Sequence, residues 1–150
     1  MRATVRFSFE KDWRFAPLAF WVHLPNAPGG AGWAPPAPQP VPQRGYVCLR
    51  VRYLEYELLF SAPAQLDHCI AILASRPMPT SRQLSQRRAA AAGPNGHWLS
   101  RLPARLKAPR RRERLVQQLR AIRARLKLAP DGHSFYSAPA NPGRDVASTD

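Results

Sequence analysis

Residues 4–9 alternate apolar and polar side chains, with Val5, Phe7 and Phe9 on one side and Thr4, Arg6 and Ser8 on the other. A period of two belongs to a half-buried strand, because successive Cβ atoms point to opposite faces of a sheet. A second apolar run, Leu18 to Leu24, is rich in aromatics, reads as β-like and ends at Pro25. The strongest signal spans 46–60. Val47, Leu49 and Val51 are apolar at odd positions, whereas Leu54, Tyr56, Leu58 and Phe60 are apolar at even ones. A one-residue slip turns a strand's core face to solvent unless something restores the phase, so the pattern predicts a β-bulge near Tyr53–Leu54. Two strands joined by a tight turn fit the same slip, but the segment lacks the Gly, Asn or Asp that such turns favour.

The period then lengthens. Pro63 opens a helix to about Ser75 whose Leu66, Cys69, Ile70 and Leu73 follow i, i+3, i+4, i+7, and Arg76-Pro77-Met78-Pro79 stops it. Ser81 would cap a helix over 82–92 that ends at Gly93-Pro94. Asn95 would cap a short one holding Trp98, Leu99 and Leu102, kinked or ended by Pro103. Pro109 opens the longest, about 110–127, with Leu115, Leu119, Ile122 and Leu126 in a stripe roughly 60° wide and Val116 on its margin. Two stretches carry no period. Residues 25–44 hold seven prolines and read as a mobile Pro/Gly-rich loop. The tail 129–150 reads as disordered. The expected fold is therefore α+β: an antiparallel meander of three or four strands covered by one helix, then a basic helical C-terminal segment, in a single domain over 1–128.

Charge adds what periodicity cannot. Residues 82–128 hold 14 Arg or Lys against one acid, Glu113, out of 23 bases and 9 acids in 150 residues. Twenty of those bases are arginine, a preference that a GC-rich genome alone would produce, but codon usage does not remove acids from one stretch. Ordinary solvated faces mix signs, and this one does not, so the block implies a polyanionic partner. Nucleic acid is the first choice, since arginine makes bidentate contacts to phosphate and guanine. The contact residues expected are Arg110, Arg111, Arg114, Arg120, Arg125 and Lys127, with Arg87, Arg88, Arg101 and Arg105 as a second patch. The three C-terminal helical pieces also suit a helix-turn-helix unit with the last in the major groove, although the Pro-rich turns hold no diagnostic pattern. An acidic protein partner is the alternative. A lipid surface is disfavoured by a narrow apolar seam lacking Trp and Phe. Glu113 reads as a first-turn acid favoured by the helix dipole.

Evidence for catalysis is thin. His97, beside Ser100, Arg101 and Arg105, is the candidate general base of a small ribonuclease-type toxin. The same segment reads better as a Gly-Pro-Asn-Gly turn feeding a capped helix, with Trp98 as a core anchor and His97 on the surface. No Walker loop, GxGxxG, GxSxG or HExxH occurs, and no cofactor is expected. Metal is not expected either: His68 and Cys69 are adjacent and diverge on a helix, with Cys69 in the core and Cys48 half-buried. Phe7, Phe9, Tyr46, Tyr53 and Tyr56 would serve as base-stacking aromatics only if their sheet face were open. Pro35 and Pro38 supply a PxxP, with Arg44 too distant to complete an SH3-type ligand. The two cysteines form no disulfide framework, no secretory leader or bilayer-spanning run is read, and the cytoplasm is the default location.

Overall fold

A computed structural model describes residues 2–27, 32–80, 82–84 and 98–136. They form strands β1 (Thr4–Glu10), β2 (Leu24–Pro25), β3 (Trp33–Ala34), β4 (Tyr46–Tyr53) and β5 (Tyr56–Phe60). The helices are α1 (Ala19–Val22), α2 (Pro63–Ala74), α3 (Trp98–Arg101), α4 (Ala104–Lys107) and α5 (Pro109–Arg125). A helical turn also occupies 82–84. The class is α+β, as the patterning implies.

The main sheet is antiparallel in the order β1-β4-β5. Val5 pairs with Val51, Phe7 with Leu49 and Phe9 with Val47, so the odd positions of both strands share one face. The slip within 46–60 is a hairpin, not a bulge: Tyr53 pairs with Tyr56, Val51 with Leu58 and Leu49 with Phe60. Even positions of β5 thus return to the face that odd positions of β4 occupy. The turn has only Leu54 and Glu55, and Leu54 sits at φ 56°. A non-glycine residue there costs about 1–3 kcal/mol, which the packing of the strands on either side offsets; Tyr53 and Phe60 are both buried.

Two helices, not one, cover that face. Leu66, Cys69 and Leu73 of α2 and Leu115, Val116, Leu119 and Ile122 of α5 join Val5, Leu49, Val51 and Phe60 in one core, together with Trp98, Leu99, Leu102 and Leu106. Helices α2 and α5 run antiparallel, since Arg123 meets Asp67 near one end and Glu113 meets Arg76 near the other. The buried arc of α5 is about 120° wide, twice the expected stripe, because α2 covers the Val116 side. Leu126 lies past the helix end as its C-cap and is only half-buried.

Three segments depart from expectation. The run 18–24 is not a strand: it is α1 followed by β2, which pairs with β3 through Leu24–Ala34 and Pro25–Trp33. The Pro-rich loop is tied down over 32–44. Trp33 packs edge-on against Trp13 at 5.4 Å, and the Gln39 N–H donates to Ser134 Oγ at 2.8 Å. Gly45, at φ 102°, closes this loop against β1, where any Cβ would lie 2.5 Å from the Glu10 carbonyl oxygen. The start of the expected disordered tail is also ordered. Leu128 bridges to Phe135, whose buried ring meets Phe7 edge-on at 6.4 Å. Residues 137–150 lie outside the described residues.

Candidate nucleic-acid interface

Helix α5 starts with Pro109 at its first position and no side-chain cap. Its 17 residues include seven arginines and one acid. The seam at Leu115, Val116, Leu119 and Ile122 fixes its rotation, which leaves Arg110, Arg114, Arg120 and Arg125 exposed along its length, with Lys127 just beyond. Arg111 is half-buried.

Among the described residues, the carboxylates leave Arg110, Arg114, Arg120 and Lys127 without an acid partner. Seven of them belong to described residues. Glu10 and Glu57 hold Arg50, Asp12 holds Arg14, and Glu55 holds Arg105 at 2.9 Å. Asp67 holds Arg123 at 2.8 Å, and Glu113 reaches Arg76 at 3.6 Å. Asp131 instead closes its own turn, accepting from the His133 and Ser134 N–H groups. Among the described residues, no acid pairs with Arg110, Arg111, Arg112, Arg114, Arg120 or Lys127. Glu113 lies beyond the first turn of α5, so its role is the Arg76 pair and not dipole compensation.

Beside this surface lies a groove of about 430 Å³. Helix α2 ends at Ala74, and Arg76 just beyond it meets Glu113 near the start of α5. Leu73, Ala74, Pro109 and Val116 line the groove, and Arg76, Arg110, Arg112, Arg120, Glu113 and Gln117 complete its walls. Arg76, Arg112 and Gln117 were not expected from the sequence. The helical wheel carries the signal for Arg112: at 100° per residue it falls on the Val116 flank, where the basic block meets α2. Arg76 is legible only as part of a stop signal.

The second expected patch divides. Arg101 is exposed on α3, and Arg105 is engaged with Glu55 in the hairpin turn. Arg87, Arg88 and His97 lie outside the described residues, as does most of the 82–92 helix that a helix-turn-helix unit requires. Phe7, Phe9, Tyr53 and Tyr56 belong to the sheet face that α2 and α5 cover, and Tyr46 packs with the Trp13 cluster, so the sheet offers no open stacking platform through them. Pro38 of the PxxP is buried.

Several polar groups that resemble chemistry are structural. Cys48 is fully buried, not half-buried, and burial pushes its thiol up to about 11; burial pushes Cys69 up to about 12. Neither is a thiolate at neutral pH. Burial lowers the pKa of His68, whose ring meets Trp98 edge-on at 6.0 Å. Among the described residues, no three His, Cys, Asp or Glu side chains gather as a metal site. A buried network that the sequence did not announce joins His23, Gln65 and Ser61. His23 Nδ1–H donates to the Pro35 carbonyl at 2.9 Å, and Nε2 accepts from Gln65 at 3.3 Å. Gln65 also donates to Ser61 Oγ at 2.7 Å, and that hydroxyl donates to the Trp13 carbonyl. Burial lowers the His23 pKa, against the opposing effect of the Pro35 bond, which favours the neutral ring that this pattern needs.

Among the described residues no helix is long and apolar enough to cross a membrane. Compared with models of protein families, with characterised proteins and with solved structures, the chain matches none.

Proposed function

We propose that this protein binds nucleic acid without catalysis, through the phosphate backbone, using α5 and its flanking residues. The carrying observation is the lack of internal counter-charge among the described residues: their carboxylates are engaged with Arg14, Arg50, Arg76, Arg105 and Arg123 or close a turn, while Arg110, Arg114, Arg120 and Lys127 stay exposed with no acid partner. Like charges crowded on one helix destabilise it by tenths of a kcal/mol per pair, and a polyphosphate removes that penalty. Arginine suits the role because its fork meets phosphate oxygens bidentately.

The reading makes a quantitative demand. If about six phosphates are neutralised, the logarithm of the binding constant falls with the logarithm of salt at a slope of about −5 on a duplex, or roughly 10³-fold from 50 to 200 mM. Fluorescence anisotropy with labelled single- and double-stranded DNA and RNA over a salt series measures this. A shift with that slope supports the reading. No binding to any of the four at low salt, with an acidic protein recovered by pull-down, replaces it with a protein-docking role.

A further inference from the structure

The groove between the end of α2 and the first half of α5 is unlike the rest of the cationic zone, because it combines arginines with an apolar floor. Ala74 and Pro109 supply its accessible apolar surface, over the buried Leu73 and Val116, with Arg76 from beyond α2 and Arg110, Arg112 and Arg120 from α5. The walls come from two elements, so the positive charge converges on a concavity instead of radiating from a ridge. Among the described residues lining it, one acid, Glu113, stands against four arginines and leans on Arg76 at 3.6 Å. At about 430 Å³ the groove falls within the size range of sites that take small molecules.

A duplex presents rows of phosphates and would meet the arginines while leaving the apolar floor uncovered. A nucleotide out of the stack presents both parts at once. Its phosphates carry the charge that Arg76, Arg110, Arg112 and Arg120 require, its base offers a flat apolar face to Ala74 and Pro109, and the guanidinium planes can stack on it. Gln117 and Glu113 at the rim bring an amide and a carboxylate, the donor and acceptor that a base edge pairs with.

The geometry points to this groove as a site for one unstacked nucleotide of a single-stranded segment, which makes the protein a reader of unpaired nucleic acid. This rests on the nucleic-acid reading above and adds a strand preference to it. The test uses the full chain, the Arg76→Ala/Arg112→Ala double variant, and a labelled 12-mer offered as single strand and as duplex. The double variant is expected to bind the single strand at least about tenfold more weakly and the duplex no more than about threefold more weakly, with the single-strand salt slope reduced by about 1.4. An unchanged melting temperature certifies its fold. In parallel, 2-aminopurine is placed singly along the strand with the unaltered protein, and its fluorescence should rise on binding at one position or a few. Equal weakening of both strand forms, or no fluorescence change at any position, overturns the groove site while leaving backbone binding in place. Absence of binding in every form overturns the underlying reading instead.

Discussion

The outer face of the sheet and the outer face of α5 both carry arginine, on opposite terms. On the sheet, Arg50 lies at the centre of a closed set: it donates to Ser8 at 2.8 Å, to Glu10 at 2.7 Å and to Glu57 at 2.7 Å. Only 18% of its side chain is exposed. Burial works against its charge, and the two carboxylates more than offset that, holding its pKa above the ordinary arginine value. Arg6 joins through Glu57 at 3.4 Å, across the strand from Arg50. On α5 the arginines are more numerous, Asp67 holds Arg123, and among the described residues no acid holds Arg110, Arg111, Arg112, Arg114 or Arg120. Where acids and bases were placed together, arginine serves the fold. Where they were kept apart, the charge is directed outward, and the fold tolerates it because Leu115, Leu119 and Ile122 fasten the helix from below.

That contrast can be broken experimentally, and the largest effect should come from reversing Arg110, Arg114 and Arg120 to Glu together. Nucleic-acid affinity should fall on the order of 10³-fold, about 4 kcal/mol, with little change in melting temperature. Anisotropy and thermal denaturation read the two quantities separately, and a large loss of stability with binding retained would invert the assignment. Arg50→Met should do the opposite. Leaving Glu10 without its cation and Glu57 with only the longer Arg6 pair is expected to destabilise by about 1–2 kcal/mol, discounted for partial solvent access, with affinity unchanged. Urea unfolding is the appropriate measurement.

Acid should weaken the fold but not the α5 charge. The folded pKa values of His23 and His68 are depressed by burial, so the unfolded chain binds protons first. Their contribution is fully present above the unfolded value of about 6.5 and is lost as pH falls below it, by at most about 1.4 kcal/mol per pH unit for each ring. Unfolding curves between pH 7.5 and 5 test this, and a His23→Gln variant should flatten the slope. The smallest effect belongs to Arg105, which sits on the border of the comparison. Its pair with Glu55 is exposed on both sides, so Arg105→Ala should cost a few tenths of a kcal/mol in stability and no more than about threefold in affinity.

The sequence was most legible where one force dominates. The alternation around Val5 and Phe7 and the 3.6-residue spacing of Leu66, Cys69 and Leu73 each reflect a single buried face, and the structure follows them. It was least legible where backbone and tertiary demands compete. The hairpin turn uses Leu54 and Glu55, without the usual turn residues, because pairing of Tyr53 with Tyr56 overrides local preference. The aromatic run 18–24 forms a short helix because Trp13, His23 and Trp33 must pack together, an arrangement no local period encodes. The α5 face was visible as charge, but its groove was not. It depends on where α2 ends beside α5, and that relation exists only once both helices are docked.

The hairpin turn has one more consequence. Its tip presents Glu55 to Arg105 at 2.9 Å, an exposed pair between the sheet and the short helix α4. An inserted residue between Tyr53 and Tyr56 would give up that pair for a few tenths of a kcal/mol, while the fully buried Leu106 keeps α4 in place. This two-residue tip is therefore a position where descendants of the chain can gain length cheaply.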